Sequence, residues 1–234
     1  MNLYQQRLLA LAACSMLLAC SGGGDSEATA DTTSGTASTP SAADPAAPAP
    51  AACTAAPIGA TGYSLVFKGC DAANEATYYD KSECVRDNAT GLIWQGQTPA
   101  GTGLRSNNAF KTNYDNITKA QKWNGATYVF PNQADLDNSS NSLGFKNSIN
   151  ASNLCGFNNW RIPTKDELLS IVKLSEYPTI DNAWFPNTYD WTYWSSSPVT
   201  GTDSESYVVR FYTGGVSKHV RDDSSSLPLV RLVR

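Results

Sequence analysis

The chain has 234 residues, of which 17 are basic and 21 acidic, and its formal net charge is −4. This near-balance of charge provides no bulk attraction to nucleic acid or to an anionic membrane, so nucleic acid is not an expected partner. The composition is still compatible with a local basic patch. The part from Cys53 to Arg234 is long enough for one domain, which at this size buries roughly 70% of its unfolded surface.

The first residues have the layout of a bacterial lipoprotein signal. Arg7 precedes an apolar run from Leu8 to Leu18, and Leu17-Leu18-Ala19 leads into Cys20 as a lipobox does. An ordinary secretory signal and a short membrane anchor are the alternatives, but the run is shorter than the roughly 20 residues that span a bilayer. The sequence predicts a signal peptide over residues 1–19 and lipidation of Cys20. Because Ser21 follows Cys20, we expect an outer membrane lipoprotein that faces the periplasm or the cell surface.

Residues 20–52 form the predicted tether. After Cys20 they are almost all small or polar, with prolines from Pro40 to Pro50, and no large apolar side chain offsets the entropy of ordering them. The chain has six cysteines. Cys14 leaves with the signal and Cys20 carries lipid, so four cysteines remain in the exported domain. They predict two disulfides, for which three pairings are open: Cys53, Cys70, Cys84 and Cys155. No C-x-x-C spacing is present, so no metal site is expected.

Several short elements follow in the first half of the domain. Alternation from Tyr63 to Phe67 predicts a hairpin arm. Asp87 to Gly91 is typical of a turn in which Asp and Asn bond their own backbone, with calcium ligation as the less favoured reading, and Leu92 to Trp94 is a buried strand. Thr118 to Trp123 is interpreted as a piece of helix. Asp135 to Asn141 is interpreted as a solvated loop, with a low-affinity calcium site as the minority alternative.

The strongest local signal runs from Trp160 to Val172. Trp160 to Ile162 alternates as a short strand, and Pro163 ends it. Thr164 then begins a helix, because T-x-x-E places its hydroxyl and the Glu167 carboxylate in a reciprocal capping box. An apolar stripe follows, so we expect this helix to pack on a sheet or core.

The last part of the chain predicts an antiparallel meander. Strand-like alternation runs from Tyr207 to Tyr212 and from Val216 to Val220 around Gly214-Gly215, and Leu229 to Val233 adds a last strand. Ser195 to Ser197 lack the G-x-S-x-G elbow of a nucleophile, so we interpret them as strand serines bonded to backbone. The only histidine, His219, is expected to face solvent.

Two groups of side chains in this region are candidate ligand contacts. Trp191 and Tyr193, if exposed, would stack on sugar faces, whereas core anchoring is the alternative interpretation. Basic residues would gather on one sheet face and recognise sulfate or carboxylate groups, although solvated strand faces look the same in sequence. These basic residues are Arg210, Lys218, Arg221 and Arg231.

Four segments together resemble the Lcl C-terminal domain family, a bacterial domain of unknown function found in secreted proteins and at the end of collagen-like adhesins. They are CVRDNATGLIWQ from Cys84, CGFNNWRIPTKDELLSIV from Cys155, YPTIDNAWFPNT with YWSSS, and the terminal VRFYTGGV and LVRLVR. The resemblance is strongest over 84–234 within a domain of 53–234. The RIPTKDE element is also similar to one in the formylglycine-generating, sulfatase-modifying fold.

The resemblance carries expectations about fold and pairing. It implies an α+β, C-type lectin-like domain with an antiparallel sheet, one or two short helices, long loops and disulfides. It also implies that Cys84 pairs with Cys155, which leaves Cys53 to pair with Cys70.

The expected function is a lipid-anchored, non-catalytic binding module of the cell envelope. It would recognise a glycan such as a sulfated polysaccharide, as adhesins of the resembled family do, and no cofactor is expected. A scaffold that binds an envelope protein is the alternative. An enzyme related to the formylglycine-generating fold is a weaker alternative, because the active-site cysteine pair of that chemistry has no counterpart after Cys155.

Overall fold

The computed structural model describes residues 52–234 of the chain. The predicted signal peptide, the predicted lipidation site Cys20 and almost all of the predicted tether therefore lie outside the described residues. Within residues 52–234 the chain forms ten strands, three α-helices and one 3-10 helix. The strands are β1 (Tyr63–Leu65), β2 (Phe67–Cys70), β3 (Ala76–Tyr78), β4 (Cys84–Asp87), β5 (Ile93–Gln95), β6 (Lys122–Trp123), β7 (Tyr128–Val129), β8 (Thr192–Pro198), β9 (Glu205–Arg210) and β10 (Gly215–Val220). The helices are α1 (Gln133–Asp137), α2 (Ser142–Ala151) and α3 (Lys165–Ser170), and the 3-10 helix is Leu154–Gly156.

The antiparallel sheet β10–β9–β8 is buried on both faces of its central strand. Side chains alternate along a strand, so neighbouring residues enter different layers. Trp194 pairs with Val208 and joins a core that contains the Cys84–Cys155 disulfide, whereas Tyr193 pairs with Val209 and joins a core beneath α3. The two apolar layers explain why consecutive residues in the middle of β8 and β9 are apolar.

A second sheet, β1–β4–β5, is extended by the end of the chain. Ile93 and Arg234 exchange two backbone hydrogen bonds of 3.0 Å, and Val233 bridges both Trp94 and Arg161. The predicted strand from Leu229 to Val233 is therefore present only as isolated bridges. The predicted strand from Trp160 to Ile162 likewise reduces to the single Arg161–Val233 bridge.

The beginning of α3 confirms the predicted capping box. The Thr164 hydroxyl accepts a 3.2 Å hydrogen bond from the Glu167 amide, and the Glu167 carboxylate accepts one of 2.8 Å from the Thr164 amide. Leu168 and Ile171 are buried against the central sheet, as the apolar stripe predicts. The predicted turn is also confirmed, since Asp87 accepts hydrogen bonds from the amides of Ala89 and Thr90.

Two local interpretations are wrong. The segment interpreted as a helix from Thr118 to Trp123 ends in β6, because Lys122 and Trp123 pair with β7 across a turn. The segment interpreted as a loop begins with α1, where Asn132 and Asp135 form a second capping box. The helix α2 lies in a stretch for which the sequence predicted no element, so the described residues contain three α-helices rather than one or two.

Both disulfides have the pairing that the resemblance implied. Cys53 is bonded to Cys70, 17 positions away, and Cys84 is bonded to Cys155, 71 positions away. The second bond is buried and joins the sheet to the turn after α2. These antiparallel sheets, short helices and disulfides confirm the α+β class. The C-type lectin-like architecture stays a prediction.

Candidate ligand-binding surface

The predicted basic cluster does not form. Residues that pair across strands share a face, and Arg210 pairs with Gly215, three positions before Lys218, so Arg210 and Lys218 point to opposite faces. Arg221 is only 3% exposed and forms a 3.1 Å salt bridge with Asp115. The prediction that these residues gather on one face is therefore wrong, since register and burial separate them.

Arg231 is fully buried and holds backbone and side chains together. Its guanidinium donates to the Gln95 carbonyl, the Gln97 amide oxygen and the Thr188 hydroxyl at 2.7–2.9 Å. It also lies 5.1 Å from the ring centre of Phe185. Arg231 is thus a structural arginine rather than a contact for a sulfated ligand.

The two predicted aromatic contacts have different surroundings. Tyr193 is fully buried, and its hydroxyl donates a 2.9 Å hydrogen bond to Gln97, so the expectation that it is exposed is wrong. Trp191 is half-buried, its indole nitrogen donates to the Leu227 carbonyl, and it contacts Phe110 edge-on. Trp191 is therefore partly exposed and packs against the core beneath α3.

The most exposed tryptophan lies on the β6–β7 hairpin. Trp123 is 48% exposed and pairs with Tyr128 across the two strands, with ring centres 5.2 Å apart. Asn124 closes the turn by accepting hydrogen bonds from the amides of Ala126 and Thr127, and Gly125 takes a positive φ of 101°. The pair Trp123–Tyr128 is the centre of what we call the hairpin platform, defined by Trp123, Tyr128, Asp222, Asp223 and Ser224.

The hairpin platform is held in place by polar contacts with three other parts of the chain. Asp222 accepts a 2.7 Å hydrogen bond from the Trp123 amide and another from the Tyr114 hydroxyl. Burial, together with this hydrogen bond to Asp222, raises the pKa of Tyr114. Lys122, next to Trp123, forms a 2.6 Å salt bridge with Asp135 of α1. The backbone at Trp123 is therefore tied both to Asp222 and, through Lys122, to α1.

A shallow cleft of about 370 Å³ lies between the hairpin and the segment after β10. It is lined by Trp123, Tyr128, Val220, Asp222, Asp223 and Ser224. Hydrogen bonds from Ser225 hold the pKa of Asp223 below its ordinary value, so this carboxylate is ionised near neutral pH. An ionised carboxylate only accepts hydrogen bonds, whereas Ser224 both donates and accepts. The cleft thus combines an aromatic wall with acceptors for hydroxyl or amino groups.

The sequence interpretation missed this cleft because it assigned the segment before Asn124 to a helix. The dipeptide Asn124-Gly125 between apolar residues is itself a strong hairpin signal and marks the turn. No local signal connects Trp123 with Asp222, which lies 99 positions further along.

The comparison with protein families identifies the fold unit that carries this cleft. The model of the Lcl C-terminal domain matches residues 83–234, more than half of the chain. The chain belongs to the Lcl C-terminal domain family. Membership of this family associates the chain with cell-surface or adhesin-associated domains. A search of the curated proteins found no match.

The Lcl C-terminal domain match begins directly before Cys84, so it contains the buried disulfide, the central sheet and the whole hairpin platform. The strands β1 to β3 and the Cys53–Cys70 disulfide precede the match. β1 pairs with β4, the first strand of the Lcl C-terminal domain, so this preceding segment completes one of its sheets.

The serines of β8 and the histidine of β10 form contacts within the Lcl C-terminal domain. Ser195 donates to the Tyr207 carbonyl and Ser196 to the Pro163 carbonyl, as expected of strand serines. His219 is half-buried against Trp194 rather than facing solvent. Within residues 52–234, no group of three or more His, Cys, Asp or Glu side chains is arranged to hold a metal. In that same range no helix has the length and apolarity needed to cross a membrane.

Proposed function

We propose that this protein is a lipid-anchored, non-catalytic binding module of the bacterial cell envelope that recognises a glycan without sulfate groups through the hairpin platform. The observation that carries the proposal is the exposed indole of Trp123, paired with Tyr128 and bordered by the carboxylates of Asp222 and Asp223. The association of the family with cell-surface domains supports the location of such a module.

The aromatic wall supports a sugar ligand on physical grounds. One face of a pyranose ring presents C–H groups and is apolar, so it packs well on an indole, while the ring edge presents hydroxyl donors. Asp222 and Asp223 offer acceptor oxygens, and Ser224 offers a hydroxyl. The mixture of one large aromatic surface with a few polar groups is typical of small-ligand sites.

The charge of the cleft supports a ligand without sulfate groups. Two carboxylates line it, and none of the lysines and arginines within residues 52–234 belongs to its lining. A sulfate group placed there would meet like charge, which opposes binding. An uncharged or amino-bearing sugar meets no such penalty, so we favour these over the sulfated polysaccharide that the sequence suggested.

The anchor and tether remain part of the proposal. Lipid on Cys20 would hold the protein at the outer membrane, and residues 21–52 would carry the Lcl C-terminal domain away from the lipid surface. A tether of this kind raises the local concentration of the domain against a polymeric ligand, so several copies can bind one chain with avidity.

The test is a glycan array probed with the full chain in detergent micelles, followed by titration of the best ligand. We expect binding to uncharged or amino-bearing glycans that EDTA leaves unchanged. Trp123→Ala should weaken it about tenfold or more, as for an aromatic hot spot. Tyr212→Ala removes a partly exposed aromatic side chain elsewhere and is the matched control, which should stay within about twofold. Preferential binding of sulfated glycans, or full affinity in Trp123→Ala, would contradict the proposal.

A protein partner in the envelope is the second candidate. It is favoured by apolar side chains beside the platform, since Ile117 is 82% exposed and Phe130 is 50% exposed along a cleft of about 490 Å³. Exposed apolar patches of this kind mark interaction sites. If no glycan binds and a pull-down from envelope extracts recovers a protein whose capture is lost in Ile117→Ser, this second function is supported instead.

A further inference from the structure

A deeper groove lies on a different part of the molecule, between the segment that follows Cys53 and the sheet β1–β4–β5. Its volume is about 500 Å³, within the range of small-molecule sites. Its walls are formed mainly by apolar side chains, among them Ile58, Leu65, Phe67 and Phe157. Three of these are markedly exposed, Ile58 at 54% and Leu65 and Phe67 at 37% each. A ligand in the groove would therefore remove apolar surface from water.

The floor of the groove is a row of residues that cross three strands. Arg86 of β4 pairs with Ser64 on one side and with Ile93 on the other, and Ile93 exchanges backbone hydrogen bonds with Arg234. Residues that pair across strands share a face, so the two arginines lie on the same side of the sheet with Ile93 between them. All four of these residues line the groove.

The charge of Arg86 has no partner in the described structure. Its Nε atom is shielded from solvent and unbonded, and within residues 52–234 its guanidinium forms no hydrogen bond or salt bridge. Arg234 donates to Asn159 and stacks 3.6 Å from the ring centre of Phe157. Among the described residues, no Asp or Glu side chain lines the groove. A guanidinium that lacks a partner beside apolar walls favours an anion, and its planar fork suits a carboxylate.

We propose that this groove binds a small carboxylate carried on an apolar body, with Arg86 and Arg234 at the carboxylate and the apolar walls around the body. The wall next to the tether is already held in position. The Tyr78 hydroxyl accepts a 2.7 Å hydrogen bond from the Ala56 amide, and the disulfide Cys53–Cys70 ties the same segment to β2. This site is chemically distinct from the hairpin platform, which in the described part of the chain is lined by two carboxylates and by no arginine.

The experiment measures binding of decanoate to the full chain by isothermal titration calorimetry. The protein carries Cys20→Ser, so that no attached acyl group competes for the groove. Decanol has the same chain without the charge, acetate has the charge without the chain, and naphthoate replaces the chain by an aromatic body. We expect decanoate or naphthoate to bind at least about tenfold more tightly than decanol and acetate, because a charge-assisted hydrogen bond contributes on that scale.

Two variants locate the site. Arg86→Gln should weaken decanoate about tenfold and leave decanol unchanged, whereas Phe67→Ala should weaken both. Lys218→Gln removes one exposed positive charge outside the groove and is the control, with an expected change within about twofold. Trp123→Ala should leave decanoate binding intact, which separates this inference from the glycan proposal. Equal affinity for decanoate and decanol in the unsubstituted groove, or an unchanged affinity for decanoate in folded Arg86→Gln, would overturn it.

Discussion

Replacing Glu167 by glutamine separates two interactions at the start of α3. The Glu167 carboxylate accepts 2.8 Å hydrogen bonds from the Thr164 amide and from Arg161 Nη1, and its second oxygen accepts one of 2.5 Å from Arg161 Nη2. Glutamine keeps an acceptor for the Thr164 amide but loses the charge opposite Arg161. Alanine loses both interactions. The pair of variants therefore distinguishes the ion pair from the helix cap.

The expected magnitudes follow from exposure. The Arg161 side chain is 46% exposed and that of Glu167 is 22% exposed, so solvent screens the pair, and Glu167→Gln should cost about 0.5–1 kcal/mol. Glu167→Ala also removes a capping hydrogen bond, which adds roughly 0.5–2 kcal/mol. Glu75→Gln removes an exposed carboxylate and is the matched control, with an expected change within about 0.5 kcal/mol.

The same pair predicts a pH dependence. Hydrogen bonds from Arg161 hold the pKa of Glu167 below its ordinary value, more strongly than burial raises it. A lowered carboxyl pKa contributes stability that is complete above the unfolded pKa of about 4.3 and is lost as the pH falls through the folded pKa. Protonated Glu167 is neutral, as glutamine is, so the free energies of unfolding of the unsubstituted protein and of Glu167→Gln should converge in acid. The free energy of unfolding of Glu167→Ala should stay below both, because alanine provides no acceptor for the Thr164 amide.

Urea unfolding under non-reducing conditions, from about pH 7 down to about pH 2, measures these differences. A gap between the unsubstituted protein and Glu167→Gln that stays constant down to the lowest pH at which the protein is folded would refute the assignment of that gap to the charge on Glu167.

Three further predictions address burial and packing. Replacing both Cys84 and Cys155 by serine should lower the free energy of unfolding by about 4 kcal/mol, and replacing both Cys53 and Cys70 by about 3 kcal/mol, because the first disulfide closes a loop of 71 positions and the second a loop of 17. Equal losses in urea unfolding would contradict this dependence on loop length. Burial lowers the pKa of Lys111 to about 8, so between about pH 8 and 10.5 the unfolded state binds more protons than the folded state. Over this range the free energy of unfolding of the unsubstituted protein should rise with pH relative to that of Lys111→Met. A difference between the two proteins that is independent of pH in urea titrations would count against a cost of burying charged Lys111. A methyl group at Gly144 would lie 2.2 Å from the Asn138 carbonyl oxygen. Gly144→Ala should therefore lower the melting temperature and reduce the free energy of unfolding by about 1–3 kcal/mol. An unchanged melting temperature would show that α1 and α2 can move apart without loss of stability.

The elements that the sequence predicted well depend on neighbours in the chain. The capping box at Thr164 and Glu167 spans three positions, and the turn from Asp87 to Gly91 is closed by its own side chains. The hairpin of β9 and β10 likewise follows from alternation on both sides of Gly214. The disulfide pairing came from the family resemblance, since four cysteines by themselves leave three pairings open.

The elements that the sequence predicted poorly depend on distant contacts. The segment that ends at Trp123 has weak preferences, and it forms a strand because Asp222 and Lys122–Asp135 hold it against the rest of the molecule. The helix α2 is rich in polar residues of low helix propensity, and burial of Phe145 and Ile149 stabilises it instead. Its close approach to α1 requires Gly144.

For the candidate sites, the sequence by itself determined the composition, the capping box, the turns and the family to which the chain belongs. Only the tertiary structure decided which polar and aromatic side chains are exposed and which of them lie together. The register of β9 and β10 separates Arg210 from Lys218, and burial on both faces of the central sheet encloses Tyr193 and Arg231. Register and burial arise from contacts between residues far apart in the chain, and a local pattern does not encode them.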